Sequence, residues 1–147
     1  MKQLITFFLV TTALGMTACS QANAPKAESS NAATAVETKT KAVLIYADWC
    51  GSCKILDPKV KAIQASANIP GLDFVTLDFT DKNPDNFYSQ AEAAGVSDAM
   101  KTYLAGKIKT GQLLLVDMDD QQVMSKVTKT FESSDIMTAM KAAVSAS

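Results

Sequence analysis

"AVLIYADWCGSCKILDP", residues 42–58, opens as a strand-length run of apolar, partly β-branched residues and changes character at Asp48. Cys50 follows two residues later, then Cys53 at C-x-x-C spacing, with the chain's single tryptophan, Trp49, beside the first cysteine. Beyond the pair, apolar residues recur at Leu56, Val60, Ile63 and Ala67, steps of 4, 3 and 4 that line one face of a helix. Pro58 lies inside that helix and cannot donate a backbone bond to the Lys54 carbonyl, so a kink is expected there. The cysteine pair therefore sits where a strand ends and a helix begins.

Outward from this unit, "IPG" at 69–71 closes the helix and "LDFVTLDF" at 72–79 makes a second strand. A short strand–helix–strand crossover implies that the two strands are parallel neighbours. "TDKNPDN", 80–86, is a turn with Pro84 suited to a helix's first position. Two short helices are expected next: 85–94, burying Phe87, Ala91 and Ala94, and 98–105, capped by Ser97 and burying Met100, Tyr103 and Leu104. "QLLLVDM", 112–118, is the most apolar strand and the expected centre of the sheet. "DDQQ" then turns into "VMSKVT", 123–128, an antiparallel hairpin partner. The last helix carries Ile136, Met140 and Ala143 on one stripe, with a serine at its cap and Asp135 in its first turn. Met137 and Met140 read as core filler rather than as a ligand set. The pattern predicts an α/β fold, a central mixed sheet flanked by helices in the order β-α-β-α-α-β-β-α.

The chain of 147 residues is 48% hydrophobic, an ordinary globular composition with room for one domain. Its 14 lysines, with no arginine, are scattered against 15 acids for a net charge of −1, which gives no nucleic-acid surface. The first 18 residues differ: Lys2 is their only charge, and an apolar run then ends in small residues, the layout of a secretory signal. That run is shorter than the roughly 20 residues a spanning helix needs. "MTAC", 16–19, resembles a bacterial lipobox, with Met16 where leucine is usual, so Cys19 is expected to carry the lipid. The competing route is cleavage after "ANA", 22–24, where Pro25 makes a poor site. Ser20 after the cysteine suits outer-membrane sorting, by resemblance to other lipoproteins. Residues 19–40 hold almost nothing large and apolar and read as a lipidated cysteine and flexible tether, with the domain at 41–147.

With Cys19 assigned to processing, three readings of Cys50 and Cys53 compete. A zinc site wants four Cys or His ligands, and the chain has no histidine and no further cysteine. The same lack weighs against a metallochaperone. A static disulfide closing so small a loop restricts the unfolded chain least and stabilises least. A redox pair uses the setting directly. Unpaired N–H groups at the helix start favour a thiolate at Cys50, and Cys53, one turn on, can attack a mixed disulfide formed there. Gly51 lets a partner's backbone approach, and Trp49 offers a flat apolar shoulder.

"WCGSCK" with Pro58 five residues after Cys53 resembles thioredoxin, and the element order from residue 41 onward is similar to the thioredoxin fold. "YADWC" followed by "CK" looks closer still to the periplasmic C-terminal domain of the transmembrane disulfide reductase DsbD. The resemblance implies that Cys50 is the attacking thiol, Cys53 the resolving thiol, and Trp49, Gly51, Thr110 and Gly111 the client-facing surface. Three departures stand out. Thioredoxins carry a cis-proline just before the central strand, where this chain has Gly111 after Thr110. The buried acid six residues before the first cysteine is here Leu44, and Asp57, four after Cys53, is the candidate replacement as proton acceptor. The dipeptide between the cysteines is Gly-Ser, which does not set the direction of electron flow.

The expected protein is thus a thiol:disulfide oxidoreductase on the periplasmic side of the envelope, tethered through its lipid and acting on client proteins with disulfides or thiols. Reduction is favoured over oxidation or isomerisation. The working group is the Cys50–Cys53 dithiol/disulfide itself, with no bound cofactor and no metal. In an oxidising compartment such a protein needs a membrane electron donor or acceptor, DsbD-like in kind. The alternative of another class is a non-catalytic binding module whose disulfide is a staple.

Overall fold

A computed structural model of the chain describes residues 37–147. The signal segment 1–18, Cys19 and the tether as far as residue 36 lie outside the described residues. Four strands and four helices follow in the expected order: β1 (Thr40–Tyr46), α1 (Gly51–Ser66), β2 (Leu72–Asp78), α2 (Pro84–Ala93), α3 (Ser97–Leu104), β3 (Gln112–Asp117), β4 (Gln122–Thr128) and α4 (Ser133–Ala146).

The sheet order is β2-β1-β3-β4. β1 runs parallel to β2, in register from Thr40 opposite Leu72 to Tyr46 opposite Asp78. It is antiparallel to β3, and the β3–β4 hairpin is antiparallel with an irregularity between Leu115 and Val116. The two inner strands, β1 and β3, are the near-continuous apolar runs, because a strand covered on both faces has no solvent side to fill with polar residues. β1 starts before the expected "AVLIYA". Thr40 is fully buried, its N–H and that of Lys39 donate to the Gly71 carbonyl, and the Met118 N–H donates to Lys39.

Side chains alternate across the sheet and build two cores. Ala42 and Leu44 of β1 with Leu113 and Leu115 of β3 face α1 (Leu56, Val60, Ile63) and α4 (Ile136, Met140, Ala143). Val43, Ile45, Leu114 and Val116 face α2 (Phe87, Ala91) and α3 (Ala99, Met100, Leu104). α1 continues through Pro58 to Ser66. Pro84 takes the first position of α2, and Asn83 caps it by accepting the N–H groups of Asp85 and Asn86.

Three local expectations are corrected. Ser97 is the first residue of α3 and not its cap; Val96 stands there without a side-chain bond, because its burial among the α2–α3 apolar residues decides that position. Glu132, also without a side-chain bond, and not a serine, precedes α4. Tyr103, expected in the core, is 38% exposed, since its neighbour Leu104 takes the inward position of the short α3.

Phe87 is fully buried and meets Phe79 edge-on at 5.8 Å. Phe87→Ala should lower unfolding free energy by about 3–5 kcal/mol, whereas Tyr103→Ala should cost under about 1 kcal/mol. Urea unfolding measures both, and equal losses would contradict the packing described.

Candidate active site

β1 stops at Tyr46 because the chain turns there: the Cys50 N–H donates back to the Ala47 carbonyl at 3.1 Å. Cys50 is the cap of α1, in extended conformation, and its Sγ accepts the Cys53 N–H at 3.1 Å. Cys50 and Cys53 are joined by a disulfide across a Cα–Cα distance of 5.2 Å. Cys50 keeps 7% of its surface open and Cys53 none, so of the two residues only the first is open to solvent. Cys53 Sγ sits 3.7 Å from the Ile45 carbonyl, inside a small cluster of Ala47, the two cysteines and Tyr46.

Around the pair, Trp49 is half exposed, and its indole Nε1–H donates to the Thr80 carbonyl at 3.0 Å. Lys82 Nζ stands 5.1 Å from the indole ring centroid, in cation–π range. Thr80 also accepts the Asp48 N–H at 3.1 Å through its hydroxyl, which in turn donates to Asp78. The β2–α2 turn thus holds the tryptophan from beneath. At Gly51 a Cβ would find nothing within 4 Å, so the approach to Cys50 is open there. Ile55, at 48% exposure, adds a second apolar side chain off the buried stripe of α1.

Gly111 closes the other side. Its φ is +77°, and its N–H donates to the Ile45 carbonyl at 2.8 Å. A Cβ there would come 2.6 Å from Ser52 Cβ and 3.1 Å from Cys50 Sγ. Gly111 thus takes a left-handed conformation with its N–H hydrogen-bonded. Proline is excluded from it, since its ring holds φ near −65° and it has no N–H. Thr110 precedes it, half-buried.

Leu44 is enclosed in the apolar core on the α1 side of the sheet, so no acid lies beneath the cysteines from that position. Asp57 is one turn beyond Cys53 and pairs with Lys61 at 2.8 Å. This carboxylate raises the lysine above its ordinary range, by hydrogen bond and then by charge. It also acts on Tyr46. The Tyr46 hydroxyl donates to Asp48 at 3.0 Å, and that bond, ahead of burial and the charges of Asp48 and Asp57, pushes the phenol above its usual value near 10. A raised phenol adds stability fully present below about pH 10 and lost as the pH climbs past its folded value.

The structure therefore brings Trp49, Cys50, Gly51, Cys53 and Gly111 to one end of the sheet, with Asp57 along the helix from them; Cys19 lies outside the described residues. Thr80, Lys82 and Ser52 were not legible as site residues. Only the Asp78–Thr80 spacing, with its local side-chain bonds, marks that turn in the sequence. Chemically, a sulfur held by a backbone N–H, partnered by a buried second sulfur, supports thiol–disulfide exchange.

The glycine contact yields a direct expectation. Gly111→Ala should cost at least the about 1–2 kcal/mol of a left-handed non-glycine residue, plus displacement of Ser52 and Cys50. Gly111→Pro should cost more through the lost bond to Ile45. Denaturant unfolding of the oxidised protein checks this, and an unchanged midpoint for either variant would refute the close contact.

The Thioredoxin family model matches residues 24–97, half of the chain. No curated relative matches. Similar solved structures include the Trxlp protein of Edwardsiella tarda, at 16% identity over 73% of this chain and 86% of that one, TM-score 0.47. Fasciola hepatica thioredoxin has 16% identity over 74% and 85%, TM-score 0.46. Spinach chloroplast thioredoxin f, short form, has 20% identity over 74% and 80%, TM-score 0.45. The narrower likeness to the DsbD domain rests on residues 46–54 alone. With the family's pattern running from ahead of β1 to the first residue of α3, this chain belongs to the Thioredoxin family.

Proposed function

We propose that this protein is a thiol:disulfide oxidoreductase of the bacterial cell envelope, working through Cys50 and Cys53. The carrying observation is the disulfide at the head of α1, in which the first cysteine is partly open to solvent and the second fully buried. In the reducing direction, the Cys50 thiolate attacks one sulfur of a client disulfide, forming a mixed disulfide and releasing the first client thiolate. The Cys53 thiolate then attacks Cys50 Sγ, releasing the second. Two electrons pass from the pair to the client, and the Cys50–Cys53 bond remains. The Cys53 N–H at Cys50 Sγ favours negative charge on the attacking sulfur.

The client chain runs over Trp49, Gly51, Thr110 and Gly111. A half-exposed indole, open space at Gly51 and the approach of Gly111 to Cys50 support this. Asp57 takes the proton of Cys53 when the resolving thiol is called on. Its support is its place one turn along α1 and its charge at Tyr46, which packs on the cysteine cluster. Cys19 carries the lipid that holds the protein at the periplasmic side of the envelope, outer membrane favoured. The pair is kept reduced by a membrane donor of DsbD-like kind, since the compartment is oxidising.

The test is an insulin-reduction assay together with the reduction potential of the pair. Activity lost in Cys50→Ser and a potential near the about −270 mV of thioredoxins fit a reductant; a value near about −120 mV reverses the direction to oxidation. A potential below about −300 mV with no exchange sinks the enzyme reading and leaves a staple in a binding module. Asp57→Asn should slow exchange about tenfold or more and move its pH profile; an unmoved profile removes Asp57 from the mechanism. For the anchor, acyl label should enter the wild-type protein and not Cys19→Ser, and equal labelling would dismiss the lipoprotein.

A further inference from the structure

The β2–α2 turn carries a lysine in backbone geometry that favours glycine or asparagine. Lys82 has φ +56°, in the left-handed region that is costly for a residue with a Cβ, and its N–H donates to the Phe79 carbonyl at 3.2 Å. The residues on either side are fixed. Asp81 accepts the Asn83 N–H at 2.9 Å through one oxygen and the Asn86 amide at 2.7 Å through the other, bonds that hold its carboxyl below the ordinary range. Asn83 in turn caps α2. Asp78 accepts the N–H and the hydroxyl of Thr80. These two carboxylates are engaged within the turn, and Lys82 makes no ion pair among the described residues. Its ammonium stands instead over the Trp49 ring, 5.1 Å from the centroid, while the indole N–H donates to the Thr80 carbonyl two residues earlier.

Strained backbone persists where its surroundings over-determine it, and it gathers at functional sites. Here the strained residue sends a cation to the chain's single tryptophan, the neighbour of Cys50. Trp49 is half exposed, so packing alone does not fix its ring. One hydrogen bond at the indole edge leaves the ring free to swing about that contact, and a cation over the face opposes the swing. We propose that Lys82 is a positioning residue for client docking, its ammonium holding the Trp49 indole in one orientation beside Cys50. A client then meets a surface already ordered, without the entropy loss of immobilising the side chain on contact. Binding is strengthened and the exchange step is left as it was. The proposal rests on the exchange reading above and adds to it a residue that acts on docking through Trp49.

Because Trp49 is the only tryptophan, indole emission reports this residue alone. Lys82→Gln removes the charge and keeps most of the stem. In the full-length oxidised protein it should raise acrylamide quenching of the Trp49 emission. In turnover it should raise KM for a disulfide peptide roughly two- to fivefold, the size of an exposed cation–π contact, with kcat unchanged. Lys82→Arg, whose guanidinium also stacks on aromatic faces, should restore both. In a Trp49→Ala background, Lys82→Gln should move KM no further. Wild-type quenching and KM in Lys82→Gln overturn the proposal. So does a rise in KM without a change in quenching, or one that persists in the Trp49→Ala background, since the lysine then meets the client itself. A change in quenching with KM unmoved overturns it too, because docking then does not depend on how the ring is held. Failure of exchange itself would appear separately, as an inactive wild type in the insulin assay, while the quenching series still reads the contact between Lys82 and Trp49.

Discussion

The carbonyl of Ile45 is the point on which the reactive end of this molecule turns. It accepts the Gly111 N–H at 2.8 Å and faces Cys53 Sγ at 3.7 Å. Three segments meet at this one atom: the last residues of β1, the first turn of α1 that follows it, and the distant loop ahead of β3. β1 is paired on both sides and β3 lies beside it in the sheet's interior, so the carbonyl projects from the part of the sheet least able to move. A sulfur seated there has a defined partner distance because its platform is rigid. Were the Gly111 bond broken, a carbonyl at a buried site would lose its acceptor role, with the cost that accompanies any unpaired buried polar group.

The two cores around that sheet are almost wholly apolar, and their division of labour explains why the site is at one end. α1 and α4 cover one face, α2 and α3 the other, and the helices exhaust the apolar surface of β1 and β3. Polar chemistry is left to the sheet's edge and ends. Leu44 belongs to this economy: in a core of Leu56, Val60 and Leu113, a leucine is stable where an unpaired carboxyl would be costly. The acid that does stand near the pair, one turn along α1, is Asp57, and it is paired with Lys61.

Most of the architecture was legible because it is written in short-range periods. The steps of Leu56, Val60 and Ile63 and of Ile136, Met140 and Ala143 are helical faces, and all six residues are buried. The apolar runs of β1 and β3 announced strands covered on both sides. Helix starts were less legible, since Ser97 and the serines before Asp135 have the chemistry of caps and yet fall inside the helix, behind Val96 and Glu132, which make no side-chain cap bond. The cysteine pair was legible for the same reason as the helices, being local. The contacts of Trp49 with Thr80 and of Gly111 with Cys50 join residues far apart in the chain, and no local pattern encodes which turn arrives beneath which side chain. Topology does that, and topology is known only once the sheet order is.

The left-handed Gly111 also bears on how such a protein can change over generations. An alanine there meets Ser52 and Cys50, and a proline has the wrong φ and no N–H for Ile45. The loop of the proline-bearing members of the family therefore cannot be reached from this one by a single replacement; the backbone ahead of β3 must be rebuilt at the same time.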